Sequence, residues 1–125
     1  MSTPTTITLQ DRLEDLFSYI REGRILDAIN EFYAEDATMQ ENNLPPTVGR
    51  EANLEREKQF LSTVKEWQRF DVTAKGFGDD VTFYETVMDW VTTDGTPVHV
   101  EQVVVAKWQD GKITHERYYH NPGNI

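Results

Sequence analysis

Glu41 is the side chain best placed by its surroundings to do chemistry. It closes the run Phe32-Tyr33-Ala34-Glu35-Asp36-Ala37-Thr38-Met39-Gln40-Glu41. There an amphipathic helix runs out at Phe32-Tyr33, an acidic turn follows, and a short β-prone stretch ends on the acid. Pro45-Pro46 comes next, then Thr47-Val48-Gly49-Arg50-Glu51, which opens another helix. That order sets a carboxylate at the mouth or floor of a helix-covered sheet. A carboxylate in apolar surroundings is a candidate general base, because lost hydration raises its proton affinity. The competing reading is a rim acid that caps the following helix or pairs with Arg50. Glu85, Asp89 and Glu116 lie on later β-prone segments. Crowded carboxylates share protons, one serving as acid and another as base, whereas carboxylates on an outward face are simply solvated. Tyr118 and His120 close the last segment. There they either orient a substrate and shuttle a proton, or pack as core with their polar atoms satisfied.

Other chemistries lack their residues. The 125-residue chain has no cysteine, hence no disulfide, thiolate nucleophile or cysteine metal site. His99, His115 and His120 have no compact ligand spacing, and no H-E-x-x-H occurs, so no metal is expected. Gly76-Phe77-Gly78 precedes no helix, and no serine sits in G-x-S-x-G. No cofactor is expected. A net charge of -10, from 12 basic and 22 acidic residues, argues against nucleic acid and anionic membranes. The first six residues lack the basic start and apolar block of a signal peptide, and no apolar run is long enough to span a bilayer. The expectation is a cytoplasmic, single-domain protein with residues 1–7 as a frayed leader.

The elements that must position these groups follow from periodicity. Leu9, Leu13, Leu16, Phe17 and Ile20 form one helical stripe, with Thr8 and Asp11 as a capping box. After Gly23, Ile25, Leu26, Ile29, Phe32 and Tyr33 repeat the period. A charged third helix is expected over about Arg50 to Lys65, covering one rim of the core. From Trp67 the alternation turns to β, with strands expected over 81–93, 98–108 and 112–120 and turns at 76–80, 94–97 and 109–111. Helices first and strands after give an α+β fold with an antiparallel sheet.

Facing stays open on pattern alone. Val81, Phe83, Glu85, Val87, Asp89 and Val91 share one face of their strand; Thr82, Tyr84, Thr86, Met88, Trp90 and Thr92 share the other. The last turn is open too. A two-residue Asp110-Gly111 loop pairs Gln109 with Lys112, whereas a three-residue loop pairs Trp108 with Lys112. One register sets Val104 beside Glu116, Tyr118 and His120; the other sets it beside Ile113, His115, Arg117 and Tyr119.

The series of a helical hairpin, Phe-Tyr-Ala-Glu-Asp-Ala-Thr, a short strand ending in an acid, Val48-Gly49-Arg50-Glu51, and a meander ending Asp110-Gly111-Lys112-Ile113 resembles the SnoaL-like branch of the nuclear transport factor 2-like (NTF2-like) superfamily. The likeness covers almost the whole chain. It implies a cone: three helices on a strongly curved antiparallel sheet that encloses an apolar cavity. Members include ketosteroid isomerases, polyketide cyclases and many pocket proteins with no assigned reaction. Glu41 matches the isomerase general base, but the isomerase helix tyrosine falls at Leu16 and its second oxyanion donor near Val104, so that oxyanion hole is missing. The family register favours the three-residue turn. It sends Met39, Glu41, Phe83, Glu85, Val87, Asp89, Gln102, Val104, Glu116, Tyr118 and His120 toward the cavity. The expected partner is a small, partly apolar ligand, handled by a cofactor-free isomerase, lyase or hydrolase, or bound by a non-catalytic module. A homodimer is expected through the outer sheet face, with Val103 and Val105 beside Met88 and Trp90.

Overall fold

The structure, a computed structural model, describes residues 8–121. The expected leader, residues 1–7, lies outside the described residues. Thr8 caps α1 (Leu9–Arg21) by accepting from the Asp11 amide, while Asp11 accepts from the Thr8 amide, completing the box read from sequence. Gly23, at φ 77, reverses the chain into α2 (Ile25–Phe32). Leu13, Leu16, Phe17, Ala28, Ile29 and Phe32 carry the buried stripes of this hairpin.

β1 (Tyr33–Glu41) starts directly at the end of α2, because Tyr33 is already extended. The expected acidic turn does not form. β2 (Thr47–Val48) pairs with β1, and α3 (Arg50–Leu61) follows. The third helix stops short of Lys65, because the chain turns at Ser62-Thr63 and β3 (Val64–Phe77) begins. β4 (Val81–Thr92), β5 (Pro97–Gln109) and β6 (Lys112–His120) complete the meander. The sheet order is β2-β1-β6-β5-β4-β3, unclosed, with three helices packed on its concave side. All neighbours are antiparallel except β1 and β6, which run parallel. This architecture is the α+β cone of the NTF2-like fold.

The β5–β6 hairpin settles the open register in an unexpected way. Asp110 and Gly111 both have positive φ, 53 and 78, and Gln109 pairs with Lys112, so the loop is the two-residue form. Trp108 then pairs with Ile113, but Lys107 pairs with His115. Thr114 is the extra residue of a bulge, and it shifts the strand by one. Beyond it Ala106, Val104 and Gln102 face Glu116, Tyr118 and His120, the phase expected from the wrong turn.

β4 corrects four site assignments. Tyr84, Thr86 and Trp90 are buried on the concave face, with Met88 beside them. Phe83, Glu85, Val87 and Asp89 therefore point outward. The aromatic face wins because the Tyr84 ring meets Phe17 edge-on at 4.9 Å and Trp90 meets Phe60 at 5.5 Å. The acids find partners outside: Thr73 donates to Glu85 at 2.6 Å, and Asp89 accepts from His99 at 2.6 Å. Burying them would forfeit their hydration.

Asn53 holds the α3 roof to the sheet. It is 2% exposed, and its Nδ2 donates to the carbonyls of Ala37 at 3.3 Å, Thr47 at 3.1 Å and Gly49 at 2.8 Å. Asn53→Ala removes all three of these bonds, although the Ala37 and Gly49 carbonyls keep the Gly49 and Asn53 amides as donors. The expected loss of stability is about 2 kcal/mol in urea denaturation, and a loss below about 0.5 kcal/mol contradicts this role.

Candidate functional site

The wide end of the cone encloses a cavity of about 870 Å³. The narrow end is filled by core: Phe32, Ala106, Trp108 and Ile113 are buried there. Val104 is fully buried at the boundary and packs in that core rather than lining the cavity. Of the remaining expected site residues, Met39, Glu41, Gln102, Glu116, Tyr118 and His120 all line it. Apolar walls come from Leu16, Ile29, Met88 and Val100, and an aromatic cluster of Phe60, Trp67 and Trp90 stands at one side.

Two polar centres interrupt these walls, both anchored on β6. Its cavity-facing residues, Glu116, Tyr118 and His120, alternate with outward ones, so roughly 13 Å separates the first from the third at ordinary strand rise.

The outer centre is Glu41 with His120. Glu41 accepts from His120 Nε2 through one oxygen and pairs with Arg56 of α3 at 3.4 Å through the other. A carboxylate accepts and does not donate, so Nε2 carries the proton. His120 Nδ1 is buried and has no hydrogen-bond partner among the described residues. In the neutral ring it keeps a free lone pair. Asn42 fixes this arrangement. Its backbone, at φ 49, turns the chain out of β1; its amide donates to the Tyr118 carbonyl at 2.8 Å, and its Oδ1 accepts from the His120 amide at 3.0 Å.

The inner centre is Glu116, 1% exposed. Tyr33 donates to its Oε1 at 2.5 Å, and Tyr118 donates to the same oxygen. Among the described residues, Oε2 is buried without a hydrogen-bond partner, as is the Thr86 hydroxyl on β4. Burial pushes the Glu116 carboxyl up, and the two tyrosine hydroxyls pull it partly back. The phenols of Tyr33, Tyr84 and Tyr118 are driven well above their ordinary range, first by burial and then by the Glu116 charge.

A third acid was not expected. Glu57 of α3 lines the cavity beside Arg56. It keeps partial access to water, yet protein surrounds most of its carboxyl. Burial pushes it up to about 7; Arg56 opposes this, and Glu116 and Glu41 add to it. Its signal in the sequence is the spacing Asn53, Glu57, Phe60 and Leu61, an inward helical stripe with polar members. Reading α3 as a charged cover for one rim passes over it. Among the described residues, no group of three or more His, Asp or Glu side chains is placed to hold a metal ion. Among the described residues, no helix is long and apolar enough to cross a membrane.

Glu116 makes stability depend on pH. A raised folded pKa means that the folded chain keeps its proton longer than the unfolded one. Stability is then lost as pH rises past the unfolded value, about 4.3, and the loss stops growing above the folded pKa. Glu116→Gln removes the charge and keeps an acceptor for both tyrosines. The variant is expected to gain on the parent as pH rises from about 4 to about 8. Parallel stability curves for the two proteins, from urea denaturation across that range, contradict the assignment.

Comparison with known proteins agrees with this geometry. A family model for the SnoaL-like domain matches residues 13–116. No curated protein matches the sequence. A Mesorhizobium loti protein provisionally named a SnoaL-like polyketide cyclase superposes with a TM-score of 0.74 at 22% identity, covering 90% of this chain and 98% of that one. An NTF2-like protein of unknown function from Burkholderia pseudomallei gives 0.78 at 8% identity, covering 90% and 89%. A Catenulispora acidiphila protein of ketosteroid isomerase-like fold, in complex with trimethylamine, gives 0.76 at 16% identity, covering 99% and 91%. These structures share the fold, and the family match spans most of the chain: this protein belongs to the SnoaL-like family.

Proposed function

We propose that the cavity binds a small, partly apolar ligand and moves a proton on it without a cofactor, in the manner of an isomerase, lyase or hydrolase. The observation that carries this reading is the Glu41–His120 hydrogen bond within largely apolar walls. Glu41 is committed to Arg56 and His120, so its part is to orient the imidazole and stabilise its charged form. His120 Nδ1 is the ring nitrogen with no hydrogen-bond partner among the described residues, and it takes the proton. This shifts the base from Glu41 itself to the pair.

A generic probe tests it. In 5-nitrobenzisoxazole, a base removes the C3 proton as the ring N–O bond breaks, giving 2-cyano-4-nitrophenolate and no other product. The protein is expected to accelerate this elimination above buffer. His120→Gln should lower kcat/KM by roughly 100-fold, and Glu41→Gln by about tenfold, since the imidazole stays but loses its orienting charge. Absence of acceleration, or full activity in the folded His120→Gln variant, contradicts the reading.

A second reading concerns assembly and rests on the convex face. Phe83, Val103 and Tyr119 stand there 41%, 38% and 42% exposed, with Val87 and Val105 between them. Met88 and Trp90, expected on this face, line the cavity instead. Asp89 and Glu101 lie toward one end of the patch, Glu85 sits in its middle beside Val103, and Lys107, His115 and Arg117 lie toward the other end. A second copy related by a two-fold axis would set each end against its opposite charge. The expected species is a homodimer at micromolar concentration in light scattering, converted to monomer by Val103→Glu. A monomer in the parent protein contradicts it.

A further inference from the structure

We infer that Glu57 is a second proton-handling residue of the cavity: it donates a hydrogen bond, and on turnover a proton, to an acceptor oxygen on a neutral ligand held between α3 and the Glu41–His120 pair. The inference rests on reading the cavity as a small-ligand site, and it assigns the ligand a chemical class.

The geometry separates Glu57 from the other two cavity acids. Glu41 has Arg56 and His120, and Glu116 has two tyrosine hydroxyls. Glu57 has no hydrogen-bond or ion-pair partner in the described structure, although Arg56 is its chain neighbour. It occupies an inward position of α3, one turn after buried Asn53 and one turn before Phe60. An apolar residue would ordinarily fill such a place. An unpartnered carboxyl in a low-dielectric wall is cheapest when neutral, and a neutral carboxyl has one donor to offer.

The charged and titratable groups around it act in both directions. Arg56 on the same helix favours the ionised form, while Glu41 from β1 and Glu116 from β6 disfavour it. Arg21 of α1, Arg69 of β3 and His120 of β6 line the same cavity, and α2 contributes only apolar residues to it. Burial thus favours the protonated form of Glu57, while the unpartnered Nδ1 of His120 keeps a lone pair, so one cavity holds a proton donor and a proton acceptor. The proton count closes: His120 Nδ1 takes a proton from a carbon beside a ligand carbonyl, the C–H pair becomes the C=C bond, the carbonyl π pair moves onto the oxygen, and the Glu57 O–H breaks to form the enol O–H. The ligand is thereby isomerised, with Glu57 left as carboxylate and His120 protonated.

Acetophenone serves as the probe, since it is neutral, carries one carbonyl and does not titrate. Only the protonated form of Glu57 donates to it. With titration near 7, the protonated fraction falls from about 0.9 at pH 6 to about 0.1 at pH 8, so the measured Kd should weaken about tenfold over that span. In Glu57→Gln, whose amide also donates, affinity at pH 6 should stay within a few-fold and its pH dependence should vanish. His120 remains in that variant, so any pH dependence from the imidazole persists there and is told apart. In parallel, carboxyl carbon NMR of the parent protein should show Glu57 titrating near 7 and shifting on addition of acetophenone. The inference is overturned if Glu57 titrates with the ordinary glutamates, if acetophenone does not bind at pH 6, or if its pH dependence survives in Glu57→Gln. Loss of the benzisoxazole elimination alone would remove the base and leave the Glu57 donor standing.

Discussion

Strand side chains alternate with a period of two, so the one extra residue at Thr114 exchanges the faces of everything beyond it in β6. Without it, the Asp110-Gly111 turn would carry His115, Arg117 and Tyr119 into the cone and leave Glu116, Tyr118 and His120 in solvent. The cavity would then hold Arg117 in place of a tyrosine-bound acid and the histidine of the dyad. The bulge is supported locally by the Thr114 hydroxyl, which donates to the Lys107 carbonyl at 3.3 Å. Both polar centres of the site inherit their position from that shift, and the parallel pairing of β1 then brings Met39 and Glu41 alongside.

Three carboxyls share this cavity in three different electrostatic settings. Glu41, near the mouth, is balanced by a guanidinium and an imidazole. Glu116, at the floor, is solvated by phenols instead of water. Glu57, on the helical wall, has neither. The arrangement explains how one small cavity tolerates three acids: they are spaced along the cone and only one draws on a full countercharge. It also separates roles, since a group wedded to a cation is a poor proton donor and a buried unpartnered one is a poor anion.

Much of this was legible in the sequence. The stripes of the first two helices, the Thr8–Asp11 capping box and the place of the Asp110-Gly111 turn follow local rules, but the two-residue form of that turn overturns the three-residue form that the family resemblance favoured. Glu41 at the end of the first strand was legible because a strand closing on an acid before a Pro-Pro loop is an uncommon pattern. The facing of β4 was not. Both faces of Val81–Thr92 carry large residues, and only the helices on one side, through Phe17 and Phe60, decide between them. The bulge at Thr114 was illegible for a related reason: nothing about a threonine flanked by Ile113 and His115 announces an unpaired position, and the deciding energy lies in the non-local burial of Glu116 with Tyr33. Likewise, the parallel pairing of β1 with β6 joins segments that no turn rule connects. Glu57 was hidden by composition, since a helix dense in charge reads as solvated until its inward stripe is traced.

The Glu41–His120 contact spans 79 positions of the chain, and Tyr33–Glu116 spans 83. Neither centre exists until the first strand and the last have found each other, and that closure is the longest in sequence among the strand pairings. The hairpins of β3 to β6 can form earlier through neighbouring contacts. The burial that raises Glu57 and Glu116 therefore exists only in a chain whose two ends have met, so the titration of these two carboxyls reports long-range closure of the fold.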